Sequence, residues 1–458
     1  MLAPRRLLWI ATVTLSLGIV TVLFSSSADA GSDGGQTILT VDPSGLLTSY
    51  ASVPVDLTNP FFQSIGTNGR SCASCHQAAD GFGFTPPHVR ERFNLSAGND
   101  PIFRPNDGAV CPTADVSTLA ARRQAYRMLL TKGLIRVSLA IPANADFQLV
   151  SVDDPYSCTS PSDIALFRRP LPATNLAFLS SIMWDGREST VAGRSIAGDL
   201  GSQAIDATTG HAQGAVPTQQ QVAQIVAFEE SLTTAQGIDV NAGILLADGG
   251  NGSAFPLVNQ PFYLGINDVL GGDPNGKPFN PVAMTVYSAW ENLQNGDPYY
   301  RAARRAVGRG EALFNSLPIP ISGVAGLNDV IGVPLLQGTC TTCHDSPNAG
   351  SHSLKLPIDI GIAAASRRTP DMPLYTFQCQ NGQQVQTTDP GKAMISGKCA
   401  DMGKMKGPVL RGLAARAPYF HNGSAADLGA VVDFYNTRFN LNITAQQKSD
   451  LVAFLKTL

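Results

Sequence analysis

Charge is scarce in this sequence. Only 15% of its 458 residues are Asp, Glu, Lys or Arg, and they nearly cancel to a net charge of −3. A chain with no basic surplus cannot grip nucleic acid by displacing counterions from phosphate, which excludes that class of partner. With 43% hydrophobic residues and so little charge, it is not a disordered chain either. Beyond residue 30 no apolar run approaches the length of a membrane span. Alternating strand patterns are nearly missing too, apart from short pieces around Leu134–Leu139 and Phe147–Val152. The expected fold class is therefore mainly α. What the chain holds in quantity is glycine, 44 residues, and proline, 31, which predicts modest helices separated by long irregular loops. The length suggests about two to three domains with ample material for real cores.

The N-terminus has the layout of a secretory signal over residues 1–30. Arg5 and Arg6 precede an apolar stretch from Leu7 to Phe24, and small residues stand at Ala28 and Ala30. An uncleaved anchor is the alternative, because the apolar stretch is about the length of a bilayer crossing. Cleavage after Ala30 is the expectation, since Ala28-Asp-Ala30 suits signal processing. The product would be periplasmic, with no membrane segment, in an oxidising space where cysteine pairs persist as disulfides.

Eight cysteines then need roles. Four of them form Cys72-Ala-Ser-Cys75-His76 and Cys340-Thr-Thr-Cys343-His344, the attachment signature of c-type haem. Two thiols three residues apart on one turn reach both vinyl groups, and the next residue presents an imidazole nitrogen to iron. Two covalently bound haem c groups are expected, with His76 and His344 as proximal ligands. A zinc or redox Cys-x-x-Cys beside an incidental histidine is the competing reading. Of the other four cysteines, proximity in sequence pairs Cys111 with Cys158 and Cys379 with Cys399, one of three connectivities that the sequence allows.

The repeated motif suggests two cytochrome c-like modules, residues 31–300 and 301–458. Helices are expected over residues 117–130, over Thr218–Leu232 and from Arg304 to Asn315. Another is expected after Thr444-Ala-Gln-Gln447, a capping box that puts Leu451, Phe454, Leu455 and Leu458 on one face. Residues 237–281 read as an irregular connection.

The stretch from Lys406 through Pro418-Tyr-Phe-His421-Asn-Gly423, followed by Leu428 and Val431–Asn436, resembles the second domain of the bacterial di-haem cytochrome c peroxidase and MauG superfamily. The turn Trp184-Asp-Gly-Arg187 resembles the matching element of its first domain. The resemblance implies an asymmetric haem pair. The group on His76 would meet hydrogen peroxide or dioxygen, the group on His344 would be six-coordinate and relay electrons, and Trp184 would stand between them. Where ordinary peroxidases of this superfamily carry a methionine ligand, the MauG type carries a tyrosine, and Tyr435 is the matching residue here. His352, Met394, Met402 and Met405 compete with it.

For the first site the resemblance implies Gln203 as a distal group. Gln213 stands in place of the usual acid/base glutamate, His211 beside it can move a proton, and His88 is a candidate for the distal histidine. A calcium ion between the domains is also implied, with Pro418 at a supporting position and Arg169 or Pro170 where an asparagine ligand would stand. The expected function is a periplasmic di-haem oxidoreductase taking electrons from a small donor protein or an organic substrate. A di-haem dioxygenase resembling rubber oxygenases and a non-catalytic electron-transfer cytochrome are the alternatives.

Overall fold

A computed structural model describes residues 23–25 and 35–458; apart from Leu23–Ser25, which pair with Thr37–Leu39, the candidate signal lies outside the described residues. Mainly α is not the outcome: among the described residues, four separate sheets accompany the helices. The largest sheet joins Gln36–Asp42, Gly45–Ala51 and Leu232–Asp239 as antiparallel neighbours, with Leu23–Ser25 and Gly243–Ile244 at its edges.

The missed strands have a physical explanation. Leu232–Asp239 reads Leu-Thr-Thr-Ala-Gln-Gly-Ile-Asp, with no apolar alternation, yet nearly all of it is buried. Hydroxyl and amide partners make that burial tolerable. Thr234 Oγ1 lies 2.8 Å from Ser49 Oγ and 2.9 Å from Thr174 Oγ1, and Gln236 Nε2 donates to Asp42 Oδ2 at 2.8 Å. Asp42 also accepts from Ser44 N at 2.6 Å, closing the hairpin before Gly45. The two expected strand pieces are present as Ile135–Leu139 and Phe147–Asp153. The first pairs with Ile164–Arg168 and the second with Leu374–Cys379, so one sheet joins strands from either side of residue 300.

The helices follow their caps. Gln219–Ser231 and Ala445–Lys456 each begin at a threonine, Thr218 or Thr444, whose side chain accepts from a glutamine N–H three residues on. Each cap is worth about 1 kcal/mol. The stretch expected over 117–130 is split at Tyr126 into Leu119–Ala125 and Arg127–Lys132. Pro298–Ser316 starts a turn earlier than its apolar pattern, on Asp297 and Pro298. That helix lies against Ala445–Lys456 so closely that a Cβ on Gly310 would sit 2.0 Å from Asp450 O. The disulfides join Cys111 to Cys158 and Cys379 to Cys399, as sequence proximity suggests.

An unforeseen repeat emerges from the packing. Thr218–Leu232 and Thr444–Leu458 align without a gap and share Val-Ala-Phe at Val226–Phe228 and Val452–Phe454. Phe228 packs on Phe61 at 4.8 Å between ring centroids, and Phe454 on Phe314 at 5.6 Å. Phe61 in turn faces His76 at 6.4 Å and Phe314 faces His344 at 6.1 Å.

Candidate haem sites

The two motifs adopt one local structure. Cys72–Ser74 and Cys340–Thr342 are single 3-10 turns, each opened by a hydroxyl capping box, Ser71 with Ser74 and Thr339 with Thr342. The turn brings His76 N to Cys72 O at 2.9 Å and His344 N to Cys340 O at 3.1 Å. Each imidazole then reaches six residues on: His76 Nδ1 to Phe82 O at 2.9 Å, His344 Nδ1 to Gly350 O at 2.7 Å. A backbone carbonyl can only accept, so Nδ1 carries the proton and Nε2 keeps its lone pair for a metal. Burial pushes both imidazoles below their ordinary pKa, which keeps them neutral as ligands must be.

Each motif opens onto a cavity in the protein. Burial raises the thiols, Cys72 to about 12, Cys75 to about 11, and Cys340 and Cys343 to about 12 each. No cluster of three or more His, Cys, Asp or Glu suited to a metal ion occurs among the described residues. Space, paired thiols and a free imidazole nitrogen together fit a covalent haem in each cavity.

The cavities differ in character. The second is walled by Ile, Val and Leu side chains, with Tyr435, Met405 and His421 facing in. No hydrogen bond is found to the Tyr435 hydroxyl among the described residues, and burial pushes that phenol well above its usual range. Of its competitors, Met405 lines the cavity with it. His352 is buried on Asp345 Oδ2 at 3.1 Å, and Met394 and Met402 belong to the cluster around the Cys379–Cys399 sheet, so none of these three reaches the cavity.

The first cavity is also mostly apolar, but it carries more polar and charged side chains than the second. Gln203 projects from the Ile196–Asp206 helix and His211 from the π turn Ala207–His211 that ends it. His211 Nδ1 lies 2.5 Å from Asp107 Oδ2, and Asp107 Oδ1 accepts from Arg70 Nη1 at 2.5 Å. Burial alone would raise Asp107, but His211 and Arg70 outweigh it and hold the carboxyl below its ordinary value. Gln213 is not part of this group: it is exposed, and its carbonyl accepts from Thr67 Oγ1 at 2.8 Å. The turn after His211 carries the chain away, with Gln213 at a φ of 53°. His88 is also elsewhere, bonded through Nδ1 to Asp80 Oδ1 at 2.7 Å. Sequence reasoning missed Arg70, Asp107 and the buried Glu229, which all line this cavity. Of the three, only Arg70 lies close enough to the motif in sequence to have drawn notice.

Trp184 lines both cavities. Its indole N–H donates to Arg169 O at 2.8 Å, its carbonyl accepts from Lys406 N at 2.9 Å, and its ring sits 6.2 Å from that of His421. The turn beneath it is held by a buried ion network. Arg168 donates to Asp185 at 2.5 Å and to Asp389 at 2.7 and 2.8 Å, and Arg187 adds a contact to Asp185 at 3.1 Å. Burial would raise Asp185, but the two guanidinium groups pull it down to about 2. Lys406 also lines both cavities, donates to Ser181 O at 2.8 Å and is pushed by burial down to about 7. At the position where the resemblance implies an asparagine beside calcium, the Arg169 guanidinium instead donates to the carbonyls of Lys132, Phe84 and Arg416.

Over 233 residues the chain is 30% identical to cytochrome-c peroxidase IdrP1 of Pseudomonas sp. strain SCT, covering 45% of this chain and 51% of that one. This chain is similar to cytochrome c peroxidases. Over 133 residues it is 33% identical to cytochrome-c peroxidase IdrP2 of Denitromonas iodatirespirans, covering 27% and 36% of the two chains. It is 28% identical to cytochrome c551 peroxidase of Nitrosomonas europaea over 133 residues, covering 29% and 34%. The chain thus spans about a third to a half of the length of the curated relatives it matches. A solved structure of a MauG-like protein associated with microbial copper homeostasis aligns over 89% of this chain and 91% of its own, at a TM-score of 0.39 and 16% identity. No family model matches.

Proposed function

We propose that this protein is an exported, periplasmic di-haem c-type oxidoreductase of the cytochrome c peroxidase or MauG type. It reduces hydrogen peroxide at the first site, or uses it to oxidise a donor, with electrons supplied through the second. One observation carries it: two cavities built on duplicated Cys-x-x-Cys-His turns share Trp184 as a common wall, and the first holds the linked groups Arg70, Asp107 and His211.

The haem on each motif supplies the redox chemistry; the chain supplies position, protons and a route. Gln203 can donate a hydrogen bond to a bound peroxide and orient it, but it cannot carry a proton. His211 can, because Asp107 holds Nδ1 and leaves Nε2 for the substrate, and Arg70 keeps Asp107 anionic. Trp184 spans the wall between the sites with its orientation locked at the indole N–H. Tyr435 lines the second cavity and would hold the iron of a haem there together with His344, its hard anionic oxygen favouring the oxidised states. The chain of Arg70, Asp107 and His211 in the first cavity speaks against a pure electron carrier, which has no use for a proton acceptor.

The test is a haem count and a resting electron paramagnetic resonance spectrum of the exported protein, followed by stoichiometric peroxide. Two haems per chain, one high-spin and one low-spin, with the spectrum altered by peroxide, are expected. Two low-spin signals untouched by peroxide would refute the proposal, and oxygen uptake with an unsaturated substrate but no peroxide consumption would favour the oxygenase.

A further inference from the structure

The repeated helices Gln219–Ser231 and Ala445–Lys456 allow the two cavities to be compared position by position. Ile225 and Phe228 correspond to Leu451 and Phe454, all buried and apolar. The next position breaks the match. Leu455 lines the second cavity, and its counterpart lining the first is Glu229.

Glu229 is only 5% exposed, and its Oε2 has no hydrogen-bond partner. It lines the cavity together with Ala173 and Leu176, and Cys72 of the haem motif is close enough to feel its charge. The charge that acts on it, Glu230 on its own helix, is of like sign. Every other charged group of the cavity is tied elsewhere: Arg70, Asp107 and His211 to one another, Arg168 and Arg187 to Asp185, Arg169 to carbonyls and Lys406 to Ser181 O. A carboxyl without a partner in an apolar wall destabilises the fold in either protonation state, and more so when ionised. At the equivalent position of the second cavity the chain uses leucine. A group with that cost and no structural return points to function.

We propose that Glu229 is the proton-exchanging group of the first haem site, binding one proton as that site gains one electron and releasing it on oxidation. The electron comes from the reductant and the proton from water, so the carboxylate becomes a neutral acid and the net charge of the cavity is unchanged. The sign follows from electrostatics: an added electron makes the cavity more negative and raises the proton affinity of a nearby carboxylate. Burial pushes the Glu229 carboxyl up to about 8, so both forms are accessible near neutral pH. This inference rests on the cofactor reading given above.

The test is a spectroelectrochemical titration of the holoprotein at pH values bracketing about 8. The midpoint potential of the first haem is expected to fall by up to about 59 mV for each tenfold drop in proton concentration, the one-electron constant, while that of the second stays level. Glu229→Gln and Glu229→Leu, the second carrying the residue of the repeat, should each flatten the slope. Redox-difference infrared spectra of the unaltered protein should show a carboxylic acid carbonyl band appearing on reduction, which guards against variants that fail to fold. A level potential in the unaltered protein, or a slope retained in either variant, would overturn the inference alone. Absence of haem from Cys72 and Cys75 would overturn the cofactor reading and this inference with it.

Discussion

Replacing Asp107 by Asn tests the proton-handling group at the first site. The substitution keeps shape and nearly all volume while removing one charge from a chain of three groups, Arg70, Asp107 and His211, joined by two contacts of 2.5 Å. A hydrogen bond to a charged group is worth about 1.5–3 kcal/mol. The part of that energy gained only when His211 takes up a proton is lost from the transition state. His211 is 37% exposed at its side chain, so solvent screening favours the lower figure. About 1.5 kcal/mol corresponds to roughly tenfold in rate. The expected outcome in Asp107→Asn is therefore a fall of up to about tenfold in kcat/KM for peroxide, with both haems attached and the low-spin signal unaltered. Stability falls as well, by about 3 kcal/mol, because Arg70 loses its carboxylate in a buried setting. Steady-state peroxide reduction and a denaturant titration measure the two effects. A folded Asp107→Asn protein with kcat/KM within about twofold of the original would refute the reasoning.

Tyr435→Phe should perturb the low-spin resonance and leave the high-spin one in place; an unaltered low-spin signal would transfer the ligand role to Met405, the competitor that shares the cavity. Arg168→Met strands Asp389 as a buried charge and leaves Asp185 with Arg187 alone, which should cost about 3–5 kcal/mol in unfolding free energy. Without substitution, the same network gives an acid limb to stability. Asp185 has a folded pKa below its unfolded value, so its contribution is complete above about 4 and is lost as pH falls towards about 2, measurable as a falling Tm. Gly310→Ala should destabilise by roughly 1–3 kcal/mol, because the added methyl meets backbone of the Ala445–Lys456 helix and the two helices must part.

The amino-acid sequence by itself determined what depends on short spacing. The two haem turns, the threonine caps at Thr218 and Thr444, and the pairing of Cys379 with Cys399 need residues only a few positions apart or a short closed loop. The Tyr435 ligand role is of another kind, implied by a resemblance, and the fold places that residue in the wall of the second cavity. Long-range packing decided the rest. The Leu232–Asp239 strand carries Thr and Gln where apolar alternation was sought, and it is a buried strand because Ser49, Thr174 and Asp42 come to it from far along the chain. Asp107 became part of the first site by meeting Arg70 and His211, while Gln213, two residues from His211, was turned out to solvent. Glu229 reads in sequence as one more charge on a helix. Only the fold buries it without a partner, and only comparison with Leu455 shows that burial to be a choice. Local motifs report the bonds a segment makes with itself, whereas polarity, proton traffic and the shared wall at Trp184 arise from contacts between segments that no local spacing encodes.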